Sequence, residues 1–284
     1  MELDRLVKLV TDTATKWWGD NVLRLSAALS YYTLFSLAPL FTIAVAVGAV
    51  VVDEEAVHVE LLRQFEDLIG KPGADAMANM LHSAGQQMHG TVATLVTLVT
   101  LLVVSTRMFS ELQDALNLIW GIPGKKRSVF WREVRGRLVS FILVIGTGFL
   151  VPISLVMRAM LAAIENFIHQ ELPWLHLIMA VVDVVSSPIV TAVIFALMFK
   201  VLPERDIAWG DVGWGAVIAA ALFTFGKWAI GVYLGGPALT SMYGAASSLM
   251  AILIWVYYSA LMFFFGAEFT YVYAHEFGSR RSHR

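Results

Sequence analysis

The sequence predicts an all-α, polytopic membrane protein with six transmembrane helices and both termini in the cytoplasm. Amphipathic interfacial helices and a small helical extracytoplasmic cap complete the expected fold. Three observations carry this reading. The 284 residues are 58% apolar and only 15% charged, whereas soluble domains carry about 25% charged residues. Apolar segments recur at a length that matches a bilayer core of about 30 Å, which takes about 20 helical residues. Lysine and arginine crowd into alternate connections, as the positive-inside rule requires.

The N-terminal stretch, residues 1–25, reads as an interfacial amphipathic helix. Leu3, Leu6, Val7, Val10, Ala14 and Trp17 recur at helical spacing, with Asp4, Arg5, Lys8, Asp12 and Lys16 between them. Trp17 and Trp18 suit headgroup level, where an amphipathic ring is partly wet. Met1 to Trp18 has no uninterrupted apolar core and does not resemble a cleavable signal peptide, so insertion is expected to start at the first span. Residues 26–284 form a single transmembrane domain.

The expected spans are Ser26 to Val52, Thr91 to Leu112, Leu138 to Leu161, Leu175 to Phe199, Val212 to Leu234 and Ala246 to Tyr273. The second continues as an amphipathic run from Arg107 to Trp120. Between the first two, residues 53–90 are too few for a core of their own and read as a cap. Val57, Leu61, Leu62, Phe65 and Leu68 supply the apolar face of one cap helix, and Met77, Met80, Leu81, Ala84 and Met88 that of a second. His58, His82 and His89 lie there without a second ligand type at a metal-binding spacing, so no metal is assigned.

Basic residues at Arg5, Lys8, Lys16 and Arg24, through 125–137, at Lys200 and Arg205, and in the tail 275–284 set the orientation. The run 125–137 also contains Phe130 and Trp131, a mixture that nucleic-acid patches share. It is read instead as a topology determinant that touches anionic lipid, with membrane lipids as partners and no nucleic acid. The sequence leaves homo-oligomerisation open. It contains no cysteine, which excludes disulfides and thiolate chemistry.

Ionisable groups at membrane depth are costly unless paired, which makes them the best markers of a working interior. At about 1.5 Å per residue, Asp183 lies about 12 Å below the outer end of its helix and Lys227 about 23 Å from the inner end of the next. An outer pair between them is expected, with Arg158 near the outer end of the third span. The same arithmetic gathers Glu268, Arg107 and Glu111 into an inner cluster near the cytoplasmic boundary. Pro39 and Pro188 deprive Phe35 and Val184 of a helical donor, so kinks are expected there.

The strings Ala27 to Pro39, Leu112-Gln113 with Leu116-Asn117 and Trp120, and Leu202-Pro203 with Trp209 and Gly215-Ala216 occur in order along the chain. Tyr243-Gly244-Ala245, Trp255 to Ala260 and Gly266-Ala267-Glu268-Phe269 follow. Together they resemble the YihY/virulence factor BrkB family of bacterial inner-membrane proteins. The resemblance implies six helices, a bacterial inner membrane, a link in name to virulence and serum resistance, and a suspected role in moving lipid or other envelope material. It singles out Glu268, then Tyr31, Asn117 and Tyr243, as site candidates. The family has also carried a ribonuclease label, but a nuclease needs gathered carboxylates or a histidine pair. The acids Glu133, Glu204, Asp206 and Asp211 are scattered in sequence.

No esterase, metalloprotease, P-loop or dinucleotide motif is present, so neither an enzyme nor a cofactor is expected. The expected function is a transporter or flippase of a lipid, lipid-linked or amphiphilic envelope solute. The alternative is a non-catalytic scaffold for envelope integrity.

Overall fold

The computed structural model describes residues 2–50, 53–69, 74–75, 77–79, 91–122, 175–234 and 247–280. Its helices are α1 (Glu2–Gly19), α2 (Val22–Gly48), α3 (Glu54–Ile69), α4 (Thr91–Ile119), α5 (Leu175–Val201), α6 (Trp209–Leu234) and α7 (Ser247–Glu276). There is no strand among the described residues.

Five expected spans fall on α2, α4, α5, α6 and α7, while Leu138 to Leu161 lies outside the described residues. The amphipathic run after the second span continues its helix to Ile119, as expected. Among the described residues, Trp209–Ile230 and Leu249–Glu276 are long and apolar enough to cross a bilayer. Both α2 and α5 run through their prolines without a break in the helix.

α7 is the hub, packing against α1, α2, α3, α4 and α6, while α5 lies on α6 and α4 on α2. The main core sits at the end where α2 and α6 begin and α7 finishes. Val22 and Leu25 of α2, Leu116 and Ile119 of α4, Val212 of α6 and Phe264 of α7 meet there. Facing outward are Ile189, Val190, Val193 and Leu197 of α5, and Trp214, Val217, Phe225 and Trp228 of α6, each about half exposed or more. Apolar exposure of this extent is out of place in water and suits lipid.

The α6–α7 crossing depends on glycine. A Cβ at Gly215 would overlap the Thr270 side chain and lie 2.7 Å from the Gly266 carbonyl oxygen, and one at Gly266 would overlap Ala219. With no side chain on either, the two backbones come within van der Waals reach. Apolar side chains gain nothing from leaving lipid, so this close packing is what holds such helices together. The Thr270 hydroxyl donates to the Gly266 carbonyl at 2.8 Å and so enters the seam without an unmet donor.

The residues expected to form the cap carry a buried apolar face. Val57, Leu61 and Met77 join Leu37 and Val45 of α2 and Ile252 and Val256 of α7 in a second buried cluster. Glu60 is buried with them, accepting from Nε and Nη2 of Arg63 at 3.0 Å each and from Nε2 of Gln64 at 2.9 Å.

Candidate functional site

The most deeply buried ionisable group among the described residues is Glu268, fully inaccessible on α7. Its partner is Lys16 of α1, whose Nζ lies 2.9 Å from Oε2. The contact is close enough for an ion pair but off the direction of a hydrogen bond, and both Glu268 oxygens lack a hydrogen-bond partner. Lys16 also pairs with Asp20, donates to the Ile119 carbonyl of α4 at 2.9 Å and lies 4.4 Å from the centre of the Tyr271 ring. One ammonium therefore ties α1, α4 and α7 together while serving two carboxylates. Burial acts against the Lys16 charge, but the Asp20 hydrogen bond and Glu268 more than offset it and raise its pKa above 10.5.

α1 presents Lys16 through a narrow docked face. Leu9 packs in a cluster with Phe269 and Val272, and Thr13 is buried with its hydroxyl donating to the Leu9 carbonyl at 2.7 Å. Leu9, Thr13, Lys16 and Asp20 follow one another at four-, three- and four-residue steps, which puts them on one helical face. Lys8 pairs with Glu276 at 2.7 Å, so α1 follows the last turns of α7 in the antiparallel sense. Asn21, in the left-handed region at φ 55°, then turns the chain into α2.

The buried side-chain polar atoms without a hydrogen bond, among the described residues, are Trp17 Nε1, Ser26 Oγ and the two Glu268 oxygens. They lie on α1, the first turns of α2, and α7, three helices in mutual contact. Buried polar groups are normally satisfied, so exceptions gathered on neighbouring elements mark a site.

The expected inner cluster of Glu268, Arg107 and Glu111 does not form, and Glu268 pairs with Lys16 instead. Glu268 is buried as expected, but Arg107 is exposed, on the same stripe as the exposed Val99 and Val103 of α4. Glu111 is half-buried, and the charges acting on it are Asp114 and Arg24 rather than Glu268. Rise per residue gives height along a helix but not the direction a side chain faces, and that direction separates Arg107 from Glu268.

Asn117 accepts from the Glu204 backbone N–H at 2.9 Å, and Gln113 donates to the Leu202 carbonyl at 3.1 Å, so both anchor the α5–α6 connection. Tyr31 is 57% exposed beside Tyr32 and Phe35, on the outer side of α2 and away from Glu268. Lys227 is half-buried on α6. The Asp183 side chain, Arg158 and Tyr243 lie outside the described residues, and with them the expected Asp183–Lys227 pair.

Lys16 and Asp20 escaped the sequence reading. Lys16 looks like one more polar-face residue of an amphipathic helix, and only its four-residue spacing to Asp20 hints at a pair.

Nearby, the α7 terminus is fastened down. Asp211, buried in the first turn of α6, accepts from the Ser279 hydroxyl at 2.6 Å and from its backbone N–H at 3.3 Å. Arg280 donates to the Asp206 carbonyl at 2.6 Å and lies over the buried Trp120 ring, 5.7 Å from its centre.

The family profile described as Virulence factor BrkB matches residues 13–284. Similar curated proteins include a UPF0761 membrane protein of Chromobacterium violaceum, 26% identical over 88% of this chain and 58% of its own length. UPF0761 membrane protein RC1_0578 of Rhodospirillum centenum is 26% identical over 93% of this chain and 57% of its own. A UPF0761 membrane protein of Alkalilimnicola ehrlichii is 27% identical over 90% and 56%. The chain thus spans less than three-fifths of the length of these relatives. No solved structure matches it.

Proposed function

This chain belongs to the virulence factor BrkB family of membrane proteins, and on that premise we propose that it is a transporter or flippase for a lipid, lipid-linked or other amphiphilic solute. The proposed setting is the bacterial inner membrane, with six spans and both termini cytoplasmic. The activity would make and break no covalent bond. The observation that carries this reading is the Glu268 carboxylate, buried, incompletely hydrogen-bonded and balanced by an ammonium it shares with Asp20.

A buried ion pair seldom stabilises a fold more than well-packed apolar residues would, because both charges lose their water. It serves better as a two-state element. Lys16 can lean toward Asp20 or toward Glu268, and a charged headgroup entering between α1 and α7 would compete for either partner. At an effective dielectric near 20, each such contact is worth about 4 kcal/mol at 4 Å. The partners are unequal: Asp20 is partly exposed and Glu268 wholly buried, so an ammonium that leaves Asp20 costs less than one that leaves Glu268. The amphiphilic faces of α1 and the apolar exterior of α5 and α6 support a cargo that is itself part lipid.

The α6–α7 seam supports the second reading, a scaffold. Glycines packed so closely leave no room for a path between those two helices.

Reconstitution in liposomes with labelled phospholipids and small anions tests the proposal. Cargo movement above empty liposomes in the parent, reduced in Glu268→Gln or Asp183→Asn, is the expected result. No movement of any cargo would favour the scaffold.

A further inference from the structure

α1 divides into three sectors: one docks on the bundle, one is polar and reaches α7 only through Lys8 and Glu276, and one is apolar. Leu9 and Thr13 are buried and Lys16 is 23% exposed on the docked sector. Asp4, Lys8, Thr11 and Thr15 are exposed on a polar sector. The third sector is apolar and uncovered: Val7 is 56% exposed, Val10 53% and Trp18 68%, with Ala14 exposed between them. At 3.6 residues per turn this sector is centred about 130° from the docked one. Of the hydrophobic stripe legible in the sequence, Val7, Val10 and Ala14 face away from the bundle, while Trp17 packs against its core.

We infer that Val7, Val10, Ala14 and Trp18 form a lipid-docking face that seats α1 in the headgroup boundary of the leaflet at that end of the bundle. Four observations favour lipid as the occupant. The apolar exterior continues past the turn onto α2 through Leu23, 38% exposed, and then Tyr31 and Phe35, so the face joins a surface that a membrane protein presents to acyl chains. Trp18, 68% exposed, lies at the end of α1 nearest the spanning helix, where an indole prefers the interface. Arg5 and Arg24 are exposed near either end of the helix and suit anionic headgroups. A polar sector lies beside the apolar one, which fits a helix half in water. Since Lys16 projects from the same rigid helix, lipid contact on one side holds the ammonium against Glu268 on another.

The chain has no cysteine, so single-site labelling needs no background substitution. Val7→Cys, Val10→Cys, Ala14→Cys, Thr11→Cys and Thr15→Cys alter only exposed side chains and leave Lys8 and Lys16 with their ion pairs. Each would carry an environment-sensitive nitrobenzoxadiazole label in vesicles of phosphatidylethanolamine and phosphatidylglycerol. Labels at residues 7, 10 and 14 should be quenched several-fold more by nitroxide-bearing lipids than those at 11 and 15, with the order reversed for aqueous iodide. Equal iodide quenching at all five positions would overturn the inference. So would labels at 7, 10 and 14 shielded from both quenchers, together with Val10→Cys cross-linking between copies, which would make the face a contact between subunits.

Discussion

Lys16 meets Glu268 from the opposite end of the chain, 2.9 Å from its Oε2, and this contact fixes α1 to α7 at the point where α4 ends. Glu268 is wholly buried there, so the loss of its cation has no solvent to soften it.

Lys16→Met should cost about 1–3 kcal/mol, since the buried Glu268 carboxyl loses its cation and must take up a proton. Lys16→Met combined with Glu268→Gln should cost less than the sum of the singles. Thermal unfolding in detergent, run as a double-mutant cycle, measures the coupling. Arg107→Gln, by contrast, should stay within about 0.5 kcal/mol of the parent, because that side chain is exposed.

The alkaline limit follows from Lys16. Its folded pKa is raised above 10.5, so its contribution is fully present below that value and is lost as pH rises through the folded value. Melting temperature measured against pH should fall for the parent in that range. The Lys16→Met variant should lack that component of the fall.

Gly266→Leu should destabilise by at least about 1–3 kcal/mol, because the added atoms meet Ala219 and the Gly215 carbonyl. Gly213→Ala, in the same helix as Gly215 but facing open space, should be neutral or gain up to about 1 kcal/mol from helix propensity. Melting temperatures of the two variants, taken side by side, separate seam packing from backbone propensity.

Asp211→Ala should remove the acceptor of the Ser279 hydroxyl and backbone N–H, at a cost of about 1–3 kcal/mol for the groups left behind. Limited trypsin digestion at Arg280 and Arg281 should then speed up relative to the parent, while cleavage elsewhere keeps its rate.

The helices were legible because each rests on a simple signal: a long apolar stretch, or a stripe at period 3.6 that carries α4 past its apolar part to Ile119. The burial of Val57, Leu61 and Met77 also followed from such stripes. What periodicity leaves open is the direction each face points. Glu268 could be placed at its height, but its partner could not be chosen between Arg107 and Lys16 without knowing how α4 and α1 are rotated. The same gap hid the burial of Glu60 beside Arg63. In α1 the apolar stripe says nothing of the adjacent sector bearing Thr13 and Lys16, which is the one the bundle takes.

The most direct test of a working Glu268–Lys16 pair is cargo flux in liposomes for Glu268→Gln, Lys16→Met and the charge-swapped Lys16→Glu/Glu268→Lys protein. Each single variant should lose about tenfold in rate, equivalent to ~1.4 kcal/mol of barrier, and the swapped protein should recover part of it. Folded single variants that move cargo at the parent's rate would contradict it.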